Sequence, residues 1–336
     1  MTWYKKSGNM SEVVLSTRAR LARNISGFKF PPMLSKEDGE KIIAEVQKAL
    51  LPLEKEFTFY KMGELSEIKR LSLVEQHMIS PDFNGSFPRG VFINRDNSIS
   101  IMVNEEDHLR IQCILPGLDI QAALDTVNRI DDLLSETLKF AFSEKYGFLT
   151  SCPTNAGTGL RISAMMHLPG INMTGGIPTL LSQAAREGIA IRGIYGEGSE
   201  AAGNLFQISN QVTLGISEKK IAALLSEAVG NIFDAEKSIR IKLNSPENPK
   251  LIDKIYRAHG IMKSAYLMRT DELINNINFV RLGIYLGIIN DTDLASLTEL
   301  MVTMSPATLS GDTNMTSEQR DIYRARLIKN AFRKEG

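Results

Sequence analysis

Cysteine is scarce in this 336-residue chain: Cys113 and Cys152 are too few for a disulfide framework and read as free thiols in a reducing compartment. Excess charge is missing as well. The 39 Lys+Arg balance 39 Asp+Glu, so no bulk field would hold the chain on nucleic acid or an anionic membrane, and any bound anion must meet a local site. No run approaches roughly 18 apolar residues and the N-terminus lacks an apolar h-region, which makes a cytoplasmic protein the expectation. Several signatures are absent: no G-x-x-x-x-G-K-[ST], no H-R-D with D-F-G, no H-E-x-x-H, no G-x-S-x-G and no paired C-x-x-C. The glycines of Gly196 to Gly203 do not fit a dinucleotide loop.

What is present divides in two. Residues 90–113 carry alternating apolar runs around Asp96-Asn97, the pattern of an antiparallel hairpin with Ile99, Ile101 and Val103 on its buried face. Apolar residues at three- and four-residue steps predict an amphipathic helix between Asp119 and Phe142. Strand-like pieces follow at Leu160–Leu168, Ile189–Ile194 and Leu205–Ser209, then a helix from an N-cap at Ser217 to Ile241. This mixture without a βαβ rhythm predicts an α+β fold with a largely antiparallel β-sheet flanked by helices. The prolines of residues 244–249 mark a linker between a domain over 1–243 and an all-helical domain over 250–336. In the latter, helices are expected from Thr270-Asp271 to Leu286, from Asp291–Asp293, and from Thr316-Ser317 to Phe332, with Ser305 to Asn314 a loop.

Four segments are dense in chemistry: Ser16 to Arg23 (STRARLAR), Asn104 to Arg110 (NEEDHLR), Cys152 to Arg161 (CPTNAGTGLR) and Arg192 to Gly203 (RGIYGEGSEAAG). Arg18 and Arg20 alternate in an extended stretch, so both guanidinium groups can face one side. Converging with Arg110, Arg161 and Arg192, they would clamp a polyphosphate.

In this order and with these separations, the segments resemble the signature blocks of the ATP:guanido phosphotransferases, the creatine and arginine kinase family. The resemblance implies a guanidino-kinase catalytic domain using ATP and Mg²⁺, with Arg18, Arg20, Arg110, Arg161 and Arg192 on the nucleotide phosphates. It also implies Ser16, Thr17, Asn155, His108 and Met165 as further nucleotide contacts; Met165 stands where relatives place an adenine-contacting His, and His108 reads equally as a structural histidine bonded to backbone. Arg23 belongs to the first block less securely. Glu106 and Glu197 match the two carboxylates that grip the acceptor guanidinium, one as general base, with Glu105 and Asp107 as runners-up. Carboxylates are needed because a guanidinium of pKa near 13.8 is no nucleophile until a proton is withdrawn. Cys152 matches the family's reactive cysteine, while Cys113 has no motif and reads as a buried thiol.

Small-metabolite kinases carry a helical domain ahead of the S-T-R block and lack one after residue 244; here the block starts at Ser16. This arrangement resembles the bacterial protein-arginine kinase branch, which implies phosphorylation of arginine side chains in proteins. Arg320-Asp321-Ile322-Tyr323-Arg324-Ala325 resembles that branch's R-D-x-x-R-A motif, implying a regulatory phosphoarginine site at Arg320, Asp321, Arg324 and Ala325. By the same resemblance the expected partners are protein substrates, an activator (McsA), a Clp unfoldase (ClpC), a heat-shock repressor (CtsR) and a second copy in a homodimer, with neither nucleic acid nor membrane. A free-arginine phosphagen kinase and a phosphoarginine-binding adaptor with a vestigial kinase site are the alternatives.

Overall fold

The computed structural model describes residues 2–85, 87–193, 201–243, 248–311, 313 and 315–333. In chain order its elements are β1 (Val14–Arg23), α1 (Lys36–Ala49), β2 (Phe57–Lys61), α2 (Glu67–Glu75), β3 (Gly90–Asn94), β4 (Ile99–Val103), β5 (Leu109–Pro116) and α3 (Ile120–Ser135). A small hairpin of β6 (Phe142–Ser143) and β7 (Gly147–Phe148) precedes β8 (Leu160–His167), α4 (Pro169–Met173), α5 (Ile177–Arg186), β9 (Ile189–Gly193), β10 (Leu205–Asn210) and the long α6 (Glu218–Leu243). Helices alone follow: α7 (Pro249–Ser264), α8 (Thr270–Tyr285), α9 (Leu294–Thr303), α10 (Pro306–Ser310) and α11 (Ser317–Arg333). Among the described residues, no helix is long and apolar enough to cross a membrane.

Eight strands form one sheet in the order β2-β3-β4-β5-β1-β8-β10-β9, with every neighbouring pair antiparallel. Alternation along the central strands sorts the residues by face. Ala19 and Leu21 of β1, Ile111 and Cys113 of β5, Ile162 and Ala164 of β8, and Ile208 of β10 share one buried cluster with Ile42 and Val46 of α1, Val127 and Ile130 of α3, and Leu225 and Val229 of α6. Burying an aliphatic side chain of this size stabilises by about 1.5 to 3 kcal/mol. That face therefore fixes the register, and the intervening residues are forced to the other side.

The other face carries polar residues at its centre and is covered at both ends. At one end α2, Trp3 and Tyr4 pack with Met78, Val91 and Met102. At the other, Leu15, Met165 and Leu205 join a second core built from α7, α8, α9 and α11. A buried polar junction strengthens this attachment: Arg240 donates to Glu236 at 2.7 Å, to the Glu12 carbonyl at 2.8 Å and to the His167 carbonyl at 2.7 Å. His167 Nε2 meets Asn278 Oδ1 at 2.8 Å, and burial beside Arg240 holds its pKa well below the ordinary imidazole value.

Several local expectations differ from the structure. The helix expected to reach Phe142 ends at Ser135, and Leu138 is buried from the following turn. Ser305 to Asn314 is not all loop, because Pro306–Ser310 forms α10 behind Ser305. The reason is tertiary: Glu75 accepts from the Ala307 and Thr308 amides at 2.8 and 2.6 Å, satisfying N–H groups that have no partner inside a helix. The helix expected to open at Asp291–Asp293 does so: α9 begins at Leu294, with Asp293 capping the Ser296 amide at 2.7 Å. Of the linker expected over 244–249, residues 244–247 lie outside the described residues.

Candidate active site

The polar face of the sheet is assembled by pairing across strands. Arg20 of β1 lies opposite Gln112 of β5 and Arg161 of β8, and Arg18 lies opposite Ile114 and Ser163. One step along, Arg110 of β5 is opposite Ala22. Residues opposed in an antiparallel ladder share a face. Arg20, Arg110 and Arg161 accordingly line one pocket together with Glu106, Asn155 and Gly159.

Among the described residues, acidic neutralisation of this cluster is incomplete. Arg110 Nη2 pairs with Glu105 at 2.6 Å and with Glu106 at 3.1 Å. Arg161 has a long bond to Ser209 at 3.3 Å, and among the described residues the buried Nε atoms of Arg20 and Arg161 have no hydrogen-bond partner. Burial, then the neighbouring Arg18, Arg110 and Arg161 charges, hold the Arg20 guanidinium well below its ordinary pKa; burial, then Arg192 and Arg110, lower that of Arg161. Like charges at this density are unfavourable in an empty site and favourable around a polyanion. Arg192 is exposed on β9 opposite Gln207, whose side chain accepts from Arg18 at 2.8 Å.

Beside this pocket is an open cavity of about 580 Å³ bordered by Pro31, Phe87, Arg89, Glu105, Glu106, Ser151 and Cys152. Glu106 borders both spaces, contacting Arg110 and, at 3.3 Å, the Asn155 amide. The loop supplying Asn155 and Cys152 depends on close backbone approach. At Gly157 (φ 104°) a Cβ would sit 2.3 Å from the Thr213 carbonyl oxygen, and at Gly159 (φ 65°) 2.5 Å from that of Ala22. The Cys152 thiol is partly exposed and lies 3.0 Å from the Thr154 hydroxyl.

A narrower cleft of about 70 Å³ adjoins Arg18, lined by Trp3, Ser16, His77, Ile114, Ser163, Met165 and Gln207. Trp3 and His77 escaped the sequence reading because they belong to no recognisable block, and the signal for them is spatial. The Trp3 and His77 rings stand 6.0 Å apart, and among the described residues the buried Trp3 Nε1 has no hydrogen-bond partner.

Other expected site residues have different work. Thr17 faces the opposite side of the sheet, donating to the Gly117 carbonyl at 2.7 Å and accepting from the Asp119 amide at 3.1 Å. His108 is fully buried: Nδ1 accepts from the Ile25 amide and Nε2 bonds the Lys29 carbonyl, each at 2.9 Å, so neither nitrogen is free for nucleotide. Asp107 accepts from Asn24 and from the Ser151 amide, both at 2.7 Å, which bolts the acidic block to the cysteine loop. Arg23 is buried against Asp131 and over the Phe148 ring. Arg324 does not share an exposed helix face with Arg320; it is 1% exposed and donates to the Met304 and Met268 carbonyls and to Asp321, while Ala325 is 2% exposed. Arg320 donates to the Met315 carbonyl at 2.8 Å. Glu197 lies outside the described residues.

The ATP:guanido phosphotransferase C-terminal catalytic domain model matches residues 39–239, and the protein-arginine kinase McsB C-terminal domain model matches residues 248–336. The chain belongs to the protein-arginine kinases of the ATP:guanido phosphotransferase family. It is 44% identical to the protein-arginine kinase of Pelotomaculum thermopropionicum, covering 98% of this chain and 95% of that one, and 44% identical to that of Caldanaerobacter subterraneus, covering 96% and 98%. The fold resembles that of lombricine kinase (TM-score 0.63, 23% identity, 71% of each chain). It also resembles the duplicated taurocyamine kinase of Schistosoma mansoni (TM-score 0.62, 25% identity, 85% of this chain and 49% of the other). The antiparallel sheet flanked by helices is thus the guanidino-kinase architecture.

Two thiols in one kinase give a direct comparison. Burial pushes the Cys113 thiol up to about 12, so it is neutral and shielded at pH 8. Alkylation by iodoacetamide is expected at Cys152, protected by substrates, and at Cys113 only after unfolding. Peptide mapping of the labelled protein checks this, and equal labelling of both in the folded state would remove the distinction.

Proposed function

We propose that the chain transfers the ATP γ-phosphoryl group to the arginine side chains of proteins through the site built around Glu106. The observation that carries this reading is the position of Glu106, a carboxylate bordering both an arginine pocket that the described residues leave under-neutralised and an open cavity beside Cys152. In the arginine pocket, Arg20, Arg110 and Arg161 hold the phosphates and stabilise charge spread over an in-line transition state. Glu106, with Glu197, grips the acceptor guanidinium and withdraws its proton, freeing a nitrogen lone pair to form the N–P bond as the bond to the ADP oxygen breaks. The partly exposed Cys152 side chain borders the same cavity, beside the acceptor.

The adenine base is assigned to the cleft beside Arg18, with Ser16 and Met165 on its walls. The cleft is narrow, so the flexible Met165 must shift to admit a purine. When bound with ATP, Mg²⁺ would supply positive charge at the phosphates; Glu106 is the more exposed carboxylate on Arg110, and among the described residues no group of three or more His, Cys, Asp or Glu side chains could hold the ion alone. Branch membership supports McsA, ClpC and CtsR as partners, a homodimer as the assembly, and the cytoplasm as the compartment.

One assay separates this reading from a free-arginine kinase and from an adaptor. ATP is supplied with free arginine, then with an unstructured Arg-rich protein, and the acid lability of the product is measured. Acid-labile phosphate on the protein substrate is the expected result; phosphate on free arginine alone, or no transfer, overturns the reading.

The arginine pocket also has a stability consequence. A basic group whose folded pKa is depressed is charged more easily in the unfolded chain, so at pH 7 it opposes folding. Arg20→Met is therefore expected to melt higher than the parent without nucleotide, yet to bind ATP about 1.5 to 3 kcal/mol more weakly, the size of a lost charge-assisted bond. Thermal melts with and without nucleotide measure both signs; a lower melting temperature without nucleotide would contradict the electrostatic account.

A further inference from the structure

The cleft assigned to the base is walled by two segments that the C-terminal helices hold from behind. Trp3 sits in a short helical turn, Trp3–Lys5, packed in one buried cluster with Val302 of α9, and Lys5 pairs with Glu299 of α9 at 3.0 Å. His77 follows the end of α2, and its attachment is more specific. Two residues before it, Glu75 spends its carboxylate on α10: Oε1 accepts from the Ala307 amide at 2.8 Å, and Oε2 accepts from the Thr308 amide at 2.6 Å and the Thr308 hydroxyl at 2.7 Å. The Ser72 hydroxyl adds a contact to the Thr308 hydroxyl at 3.2 Å. Three donors on one carboxylate, 232 and 233 residues away in sequence, form a clasp.

His77 is sensitive to that clasp because of its backbone. Its φ of 62° is in the left-handed region, uncommon for a residue with a side chain. It is held there from both sides. The His77 and Met78 amides, each at 2.9 Å, bond carbonyls of Val74 and Leu73 in the last turn of α2, and the His77 carbonyl accepts from Gln112 at 2.7 Å. Gln112 lies opposite Arg20 on the sheet. The orientation of the His77 ring thus depends on where α2 ends, and α2 ends where α10 holds Glu75.

We infer that Glu75 is a positioning residue for the nucleotide: by clasping the start of α10 it fixes the His77 wall of the base cleft, so nucleotide affinity depends on the C-terminal helical region. This rests on the assignment of the cleft to the base. The coupling is reciprocal, because what α10 does for the nucleotide the nucleotide must do for α10. Glu75 touches none of the reacting groups, so its effect is confined to ATP recognition.

The sequence contains one tryptophan, Trp3, so its emission reports the cleft directly in the full-length kinase. Titration with ATP and with ADP is expected to change the emission of the parent. Glu75→Gln, which keeps the side-chain shape and loses the charge, and Thr308→Val, which removes only the hydroxyl, are compared with it. Glu75→Gln is expected to raise the KM for ATP and the Kd for ADP about 5-fold or more, with Thr308→Val intermediate. In both variants kcat at saturating ATP and KM for the protein substrate stay within about twofold, a split that general loss of structure would not produce. Hydrogen exchange supplies the reciprocal readout: nucleotide should slow exchange over residues 306–310 in the parent and not in Glu75→Gln. A parent whose tryptophan ignores nucleotide while phosphorylating protein would remove the base assignment and this inference together. A responsive parent whose variants keep parental nucleotide affinity, or lose kcat with KM unchanged, would overturn the positioning role and leave the base assignment standing.

Discussion

Glu106→Gln is expected to cut phosphoryl transfer to a protein substrate by about 10² to 10⁴, the usual contribution of a positioned general base, while nucleotide binding stays close to that of the parent. The amide keeps the size of the side chain and loses its charge and basicity. Glu106 is 40% exposed and Glu105 only 11%, so the first can be approached by a substrate and the second cannot without breaking its present bonds. Glu105 is committed to Arg110 at 2.6 Å and to the Ser80 hydroxyl at 2.7 Å; its partners fix the arginine that faces the donor. Glu105→Gln should therefore weaken ATP binding and leave turnover at saturating ATP less affected. The paired variants separate two neighbouring carboxylates by function. Rapid-quench measurement of phosphoarginine formation, with calorimetric titration of ADP, tests both, and near-parental turnover in Glu106→Gln would move the base elsewhere, Glu197→Gln being the next variant to measure.

Much of the site was legible because it is written in strands. Arg18 and Arg20 alternate with Ala19 and Leu21, β1 is extended, and those two apolar residues bury, so a two-residue period was enough to put both guanidinium groups on one face. The acidic and cysteine blocks were legible as motifs, yet the division of labour within them was not. Asp107 and His108 look like chemistry in a string of letters, whereas their partners are Asn24, Ser151, Ile25 and Lys29, brought close only by folding. Thr17, next to Arg18, has the other parity, and this places it on the helix-covered face. Trp3, His77 and α10 were hidden because each depends on residues more than 30 positions away, Glu75 supplying from across the molecule the acceptors that a five-residue helix cannot find in itself.

The helix face expected to hold phosphoarginine gives the opposite lesson, and its largest effect is structural. Arg324→Ala is expected to destabilise the helical region by about 3 to 5 kcal/mol, the cost of removing one partner from a buried charged network. Its guanidinium donates through Nε to the Met304 carbonyl and through Nη1 to the Met268 carbonyl and Asp321, so it joins the end of α9, the segment before α8 and its own helix α11. Truncation strands two buried carbonyls and a carboxylate at once. Lysine should rescue little, because an ammonium cannot reproduce a planar fork aimed at three acceptors. Among the described residues the Arg320 side chain has one hydrogen bond, to the Met315 carbonyl, from a half-buried position, and Arg320→Ala should cost about 1 kcal/mol or less. Any response to phosphoarginine is therefore tested cleanly only in Arg320 variants, since loss of response in Arg324→Ala would report a loosened α9–α10 junction. Chemical denaturation followed by circular dichroism decides the matter: a denaturation midpoint in Arg324→Ala equal to that of the parent would mean that this guanidinium is free to serve a ligand after all.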